Sequence, residues 1–170
     1  ECVAEADLPP GVFNLVTGPG SVVGDEIARN PGTHAVGFIG STETGRRVAE
    51  AAAGKAAVLE LGGNGPVVVL DDADLELAAE AGVTACFLCA GQSCTAGERL
   101  LVHRAVREEL VARVAGLVEE RVVLGDPFAE QTTMGPLNND GVADKMDEHV
   151  ADALERGARL VHGGARADGF

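Results

Sequence analysis

The sequence predicts an α/β protein built on parallel strands, and three observations carry this. Two short apolar runs, residues 12–16 and 35–39, are each followed by a turn and a helix-like stretch, and strand–helix units in succession imply a parallel sheet. A third apolar run, 57–61, follows the second helix. Hydrophobic residues make up 46% of the chain but aromatics only 3%, with no Trp or Tyr, so Ala, Val and Leu must fill the core, as buried parallel strands permit.

The first unit reads as a strand over 12–16, a turn at Gly18-Pro19-Gly20 and a helix over 21–28, which Asn30-Pro31-Gly32 ends. The second reads as a strand over 35–39 that closes at Gly40-Ser41-Thr42. A helix over 42–53 follows, with Arg46, Arg47 and Glu50 on a polar side and Gly54 as its stop. After the run 57–61, Gly62-Gly63-Asn64-Gly65-Pro66 suits neither strand nor helix and is expected to be a hinge between domains. Residues 66–70 restart a buried strand. Asp71, Asp72 and Asp74 then offer carboxylates to cap a helix over 75–90, which is apolar on nearly every side and so expected to pack between layers. Beyond it come a strand over 99–103 and a helix over 105–120 with Val106, Leu110, Val114 and Leu117 on one face. A turn at Gly125-Asp126-Pro127, a helix carrying Val142, Met146, Val150 and Leu154, and a strand over 159–162 complete the order. No repeat or low-complexity tract interrupts it.

Charge and length exclude several functions. A formal net charge of −14 argues against a surface for nucleic acid or anionic lipid, since those partners need clustered Lys and Arg. No apolar run approaches the ~20 residues that span a bilayer, and no charged-then-apolar signal opens the chain. A cytoplasmic protein is expected. The chain opens at Glu1 without Met and stops without a closing element, which reads as a segment of something longer.

Chemistry concentrates in three places. Gly18-Pro19-Gly20-Ser21-Val22-Val23-Gly24 is one residue long for the usual dinucleotide fingerprint, and a plain tight turn explains it as well. At Gly40-Ser41-Thr42-Glu43-Thr44-Gly45, exposed N–H groups and hydroxyls at a helix start can hold a pyrophosphate, or Ser41 can serve as an ordinary N-cap. Glu60 ends an apolar strand beside glycines, where partial desolvation would raise its pKa and make it a base; a capping or salt-bridging Glu is the alternative.

Three of the four cysteines crowd together as Cys86, Cys89 and Cys94, while Cys2 stands apart. Cys94 lies in Ala90-Gly91-Gln92-Ser93-Cys94-Thr95-Ala96-Gly97, whose small residues leave a thiol open to a ligand, as a nucleophile requires. Cys86 and Cys89 sit in the apolar helix and are assigned to the core. Their two-residue spacer also permits a metal site with Cys94 as third ligand. Against it, the pair lies in a helical apolar pattern, no second paired cluster exists and His103 falls in a strand, so no metal is expected.

Phe38-Ile39-Gly40-Ser41-Thr42-Glu43-Thr44-Gly45, Leu59-Glu60-Leu61-Gly62-Gly63-Asn64-Gly65-Pro66 and Gly91-Gln92-Ser93-Cys94 stand in the order and spacing of the aldehyde dehydrogenase superfamily, which the chain resembles. The likeness extends from Pro10-Gly11-Val12-Phe13-Asn14 through Asp71-Asp72-Ala73-Asp74 to Leu124-Gly125-Asp126-Pro127 and Met134-Gly135-Pro136-Leu137. It implies a Rossmann-type parallel sheet joined to a second α/β catalytic domain, with residues 1–60 ending the NAD(P)-binding domain and 61–170 beginning the catalytic one.

The same resemblance implies oxidation of an aldehyde to a carboxylic acid with NAD or NADP, with Cys94 as nucleophile and Glu60 as base. Gly20 and Gly24 would line the adenine side, Gly40 and Ser41 would meet the pyrophosphate, Thr42, Glu43, Thr44 and Gly45 would form the first turn beneath it, and Leu61 would offer a backbone contact near the nicotinamide. Thiolate attack, hydride departure and hydrolysis by a water that Glu60 activates complete the chemistry. The full-length protein would be a homodimer or homotetramer. Ile39, Asn64, Gly65 and Cys89 depart from the family's usual residues, and its oxyanion Asn, ribose-binding Lys and downstream Glu have no counterpart here. Two rival readings stand beside this one: a relative that passes the acyl group to coenzyme A, which the presence of Glu60 disfavours, and a non-catalytic thiol or metal-binding module.

Overall fold

A computed structural model describes residues 2–167 of the chain, which divides into two compact units between Gly62 and Gly63. In the first unit, helix α1 (Cys2–Glu5) precedes an irregular stretch, a π-helical turn over Gly20–Gly24 and helix α2 (Asp25–Arg29). Strand β1 (Ala35–Gly40), helix α3 (Thr42–Ala51) and strand β2 (Ala56–Leu61) follow. The two strands pair in parallel, with Phe38 opposite Leu59, Ile39 opposite Glu60 and Gly40 opposite Leu61. Alternation along a strand sends neighbours to opposite faces. Val36 is buried, Phe38 and Leu59 are half-buried, and Leu61 reaches Gly45 of α3, whereas Ile39 is 77% and Val58 66% exposed on the other face. Lys55 ties this unit together: its ammonium donates to Ala28 O at 2.6 Å and to Asn30 O at 2.7 Å, satisfying carbonyls at the end of α2.

Residues 12–16, expected as a strand, are irregular and exposed. A strand exists through its ladder, and β1 takes its hydrogen bonds from β2. Local bonds prevail instead, from Val12 N–H to Pro9 O at 3.2 Å and from the Asn14 side-chain amide to Gly11 O at 2.9 Å.

The second unit is a β–α–β arrangement with two further helices. Strand β3 (Gly65–Val69) leads to helix α4 (Leu75–Cys86), a single 3-10 turn (Leu88–Gly91), strand β4 (Gly97–Val102), helix α5 (Arg107–Arg121) and helix α6 (Asp140–Glu155). β3 and β4 are parallel, and their register shifts between Gly65 and Pro66, where proline has no N–H to give. Asp74 caps α4 by accepting from the Glu76 and Leu77 N–H groups. Val69, Ala79 and Leu110 form the centre of the core, with Val67, Leu100, Val102, Val114 and Leu117 packed around them. The α5 face read from the sequence is thus the core face. Asn139 caps α6, which has no buried residue.

Two expected elements of this unit differ in the structure. α4 ends at Cys86 rather than continuing to Ala90, and it buries one side only, through Ala79, Gly82 and Val83, while Leu77 stays 64% exposed. Residues 159–162 form no strand. They run beside an open apolar groove of about 840 Å³ along β3, β4 and α5, held by the ion pair of Arg159 with Glu108 at 3.2 Å and the approach of His162 to Glu119 at 3.5 Å. No helix among the described residues is long and apolar enough to cross a membrane.

Candidate active site

The expected nucleotide-binding residues all fall in the first unit. Gly20 and Gly24 bound the π-helical turn, in which Val22 and Val23 both donate to Pro19 O at 2.9 Å. A Cβ on either glycine would meet nothing within 4 Å, so neither is packed against another residue. Gly40 ends β1 beneath the ring of Phe38.

Ser41 is the N-cap of α3. Its hydroxyl accepts from Thr44 N–H at 3.2 Å and lies 3.0 Å from Thr44 Oγ1, while its carbonyl accepts from Gly45 N–H. The capping alternative is therefore realised. It leaves the Thr42 and Glu43 N–H groups without intrahelical partners, at the positive end of the helix dipole. Glu43 could repel an anion here, but its carboxylate pairs with Arg47 one turn on. Gly45 is buried against the side chain of Leu61.

Glu60 stands at the end of β2, on the open face with Ile39, and is exposed. The burial expected for it is absent: among the described residues of its own unit, none covers that face, where Ile39 and Val58 are exposed as well. Cys94 lies in the second unit and is exposed. Cys86 is half-buried at the end of α4, where burial pushes its thiol pKa up. Cys89 is exposed, not a core residue: α4 has already ended, and the chain turns outward. Among the described residues, no three His, Cys, Asp or Glu side chains gather as a metal site.

The backbone ahead of Cys94 is unusual. Cys89, Ala90 and Gly91 are successive left-handed residues, with φ of 51°, 57° and 74°. Only glycine adopts that region freely. Hydrogen bonds brace the turn: Ala90 N–H to Phe87 O at 3.0 Å and Gln92 N–H to Cys89 O at 3.1 Å. Across Cys94 itself, Ser93 Oγ accepts from Thr95 N–H at 3.3 Å and lies 2.9 Å from Thr95 Oγ1. Arg99 donates to Asn64 O at 2.9 Å, tying the start of β4 to the glycine-rich stretch before β3.

Sequence reading missed Gln92 and Thr133. The Gln92 amide donates to Cys89 O at 3.0 Å, and its oxygen accepts from Asn138 N–H at 2.9 Å. Thr133 Oγ1 donates to Arg121 O at 2.7 Å and accepts from Val123 N–H at 2.8 Å, closing the loop after α5. Gln92 lay inside a quoted motif; for Thr133 no sequence signal existed.

A sequence model described as the Aldehyde dehydrogenase family matches residues 1–170. A succinate-semialdehyde dehydrogenase of Escherichia coli, named for NADP(+), is 42% identical over 166 residues, covering 96% of this chain and 34% of the relative. A betaine aldehyde dehydrogenase of Bacillus subtilis is likewise 42% identical over 166 residues, again 96% of this chain and 34% of that protein. Among solved structures, an NAD-dependent aldehyde dehydrogenase of Sinorhizobium meliloti superposes with a TM-score of 0.93 at 38% identity, over 97% of this chain and 33% of that one. A Staphylococcus aureus betaine aldehyde dehydrogenase in complex with NAD+ and carrying a BME-modified cysteine gives 0.91 at 34% identity, over 97% of this chain and 34% of that one. The chain spans about a third of the length of the curated relatives it matches.

Proposed function

Because the chain belongs to the aldehyde dehydrogenase family, we propose that it supplies the nucleophile and the base of an enzyme that oxidises an aldehyde to a carboxylic acid with NAD or NADP. Residues 1–60 are the end of its cofactor domain and residues 61–170 the start of its catalytic domain. The observation that carries the reading is the exposed Cys94, held between hydrogen-bonded turns on a loop that emerges from the second unit's core. A thiol that reacts must lie open to its ligand, and of the exposed cysteines Cys2, Cys89 and Cys94, only Cys94 ends the Gly91-Gln92-Ser93-Cys94 motif.

Cys94 as thiolate attacks the aldehyde carbon. The loop's N–H groups, that of Cys94 first among them, support the oxyanion. Gly20, Gly24, Gly40, Ser41, Thr42, Glu43, Thr44, Gly45 and Leu61 hold the dinucleotide, with the Thr42 and Glu43 N–H groups facing its phosphates. A bound nicotinamide supplies the hydride acceptor. Glu60 then takes a proton from the water that hydrolyses the Cys94 thioester, releasing the acid and the free thiol. In the complete protein the open face at Glu60 is covered, which gives the carboxylate the partial desolvation that a base near neutral pH needs. The complete enzyme is a cytoplasmic homodimer or homotetramer acting on a small-molecule aldehyde.

The test is chemical. The full-length Glu60→Gln variant, in which hydrolysis is slowed, incubated with an aldehyde and NAD+ or NADP+ and quenched in acid, should carry an acyl mass on the peptide containing Cys94. An acyl group on Cys89, or on no cysteine, overturns the assignment.

A further inference from the structure

We propose that Gln92 is the positioning residue of the nucleophile, a role that rests on the reading of Cys94 above. Its side chain makes two bonds in opposite directions: Nε2 donates to Cys89 O at 3.0 Å, and Oε1 accepts from Asn138 N–H at 2.9 Å. The partners fix the amide's orientation, because a carbonyl can only accept and an N–H can only donate.

Each bond has a separate effect. The Cys89 carbonyl also accepts the Gln92 backbone N–H at 3.1 Å, so Gln92 grips the left-handed turn Cys89–Ala90–Gly91 twice. Without that grip, Cys89 and Ala90 gain by leaving a backbone region unfavourable to residues with a Cβ. The Asn138 bond fastens the same turn to the residue before the Asn139 cap of α6. α6 is a helix of 16 residues, and the loop leading to it is closed on α5 by Thr133. Gln92 therefore connects the Cys94 loop to the α5–α6 connection. Ser93 and Thr95, the residues on either side of Cys94, bond to each other across it, so the backbone is braced at the cysteine while its thiol stays exposed.

Gln92 is exposed and lines a cavity of about 270 Å³ together with Phe87, Cys89, Thr133, Met134 and Pro136. Water entering that space can satisfy Cys89 O and Asn138 N–H when the amide is removed. Loss of Gln92 thus leaves the chain folded and releases the aim of the thiol.

The experiment uses the full-length enzyme with Gln92→Ala, Gln92→Glu and Cys94→Ala. Gln92→Glu keeps the acceptor for Asn138 but has no proton for Cys89 O, so it separates the two bonds at nearly constant shape. Expected for Gln92→Ala is a fall of about 10- to 100-fold in the burst rate, and in the rate at which iodoacetamide labels the Cys94 peptide, since small misplacements of a reacting group cost that much. The KM for aldehyde should change far less than kcat, melting should be near normal, and Gln92→Glu should fall between Ala and wild type. A wild-type burst rate in both Gln92 variants, or a loss of rate that follows loss of folded protein alone, overturns the positioning role. A burst that persists in Cys94→Ala overturns the nucleophile reading itself, and so separates the two failures.

Discussion

Gly45 lies directly against Leu61: a Cβ built on Gly45 would fall 3.0 Å from Leu61 Cδ1 and closer still to Cδ2. The contact joins the first turn of α3 to the end of β2, and it places Glu60 one residue from a packed anchor. Gly45→Ala gains up to ~1 kcal/mol in helix propensity, but overpacking a filled site costs about 1–3 kcal/mol. A net loss is expected in the full-length protein. Leu61→Ala opens the space, so the double variant should recover part of it, with a coupling of about 1 kcal/mol in a denaturant-melt cycle. Strict additivity would show that the two side chains do not share this space.

The left-handed turn before Cys94 predicts opposite responses at adjacent positions. Ala90 at φ 57° bears a Cβ where glycine is favoured, and Gly91 at φ 74° has none. Ala90→Gly should leave stability unchanged or raise it by up to ~1 kcal/mol, and Gly91→Ala should lower it by about 1–2 kcal/mol. Equilibrium unfolding of the full-length variants decides. A stabilised Gly91→Ala would mean that the backbone is not left-handed there.

Cys86 and Cys94 should separate in a labelling experiment. Burial raises the Cys86 thiol pKa, so its neutral form persists to higher pH in the folded protein than in the unfolded chain. The sign follows: any stability linked to this proton is complete below the unfolded pKa and is lost as pH rises through the folded one. Iodoacetamide near neutral pH should therefore label the exposed Cys89 and Cys94 before Cys86, with Cys86 catching up on denaturation. Mass mapping of the peptides over time measures the order, and equal rates under native conditions would contradict the burial.

Glu60→Gln keeps the shape and one acceptor oxygen but cannot take a proton. In the full-length enzyme the first turnover should proceed, and then the acyl group should stall on Cys94, seen as a burst of reduced cofactor without steady turnover. An unchanged steady rate, or a lost burst, removes Glu60 from the role of base.

What the sequence conveyed well was local. The strand–helix order around Ser41, the Asp74 cap and the Leu110 face of α5 each depend on a few neighbouring residues, and the structure reproduces them. What it conveyed poorly depended on partners elsewhere. Residues 12–16 and 159–162 have strand composition, but composition cannot supply a ladder. The helix expected to run through Ala90 failed for another reason: apolar periodicity is the same for a helix and for a compact apolar turn, and φ at Cys89 and Ala90 cannot be read from residues that ordinarily avoid it. Glu60 illustrates the limit for the site, because desolvation is a property of what covers a residue. Its place in the motif order was legible, and its environment was not.

The last prediction concerns these 170 residues expressed alone. Ile39 and Val58 are 77% and 66% exposed on the open face of the β1–β2 pair, Leu15 is 77% exposed, and an apolar groove of about 840 Å³ runs along β3, β4 and α5. Soluble monomers seldom leave so much apolar surface in water, and a two-stranded pair with open edges invites association. The net charge of −14 opposes aggregation only through screened repulsion, which salt weakens. The isolated segment should bind a hydrophobic dye, associate more as salt is raised, and oxidise neither short aliphatic nor aromatic aldehydes with NAD+ or NADP+, although it holds both Cys94 and Glu60. The full-length protein under the same conditions should bind little dye and turn over. A monodisperse segment that reduces cofactor would show that the open faces need no cover and that catalysis needs no more than these two units.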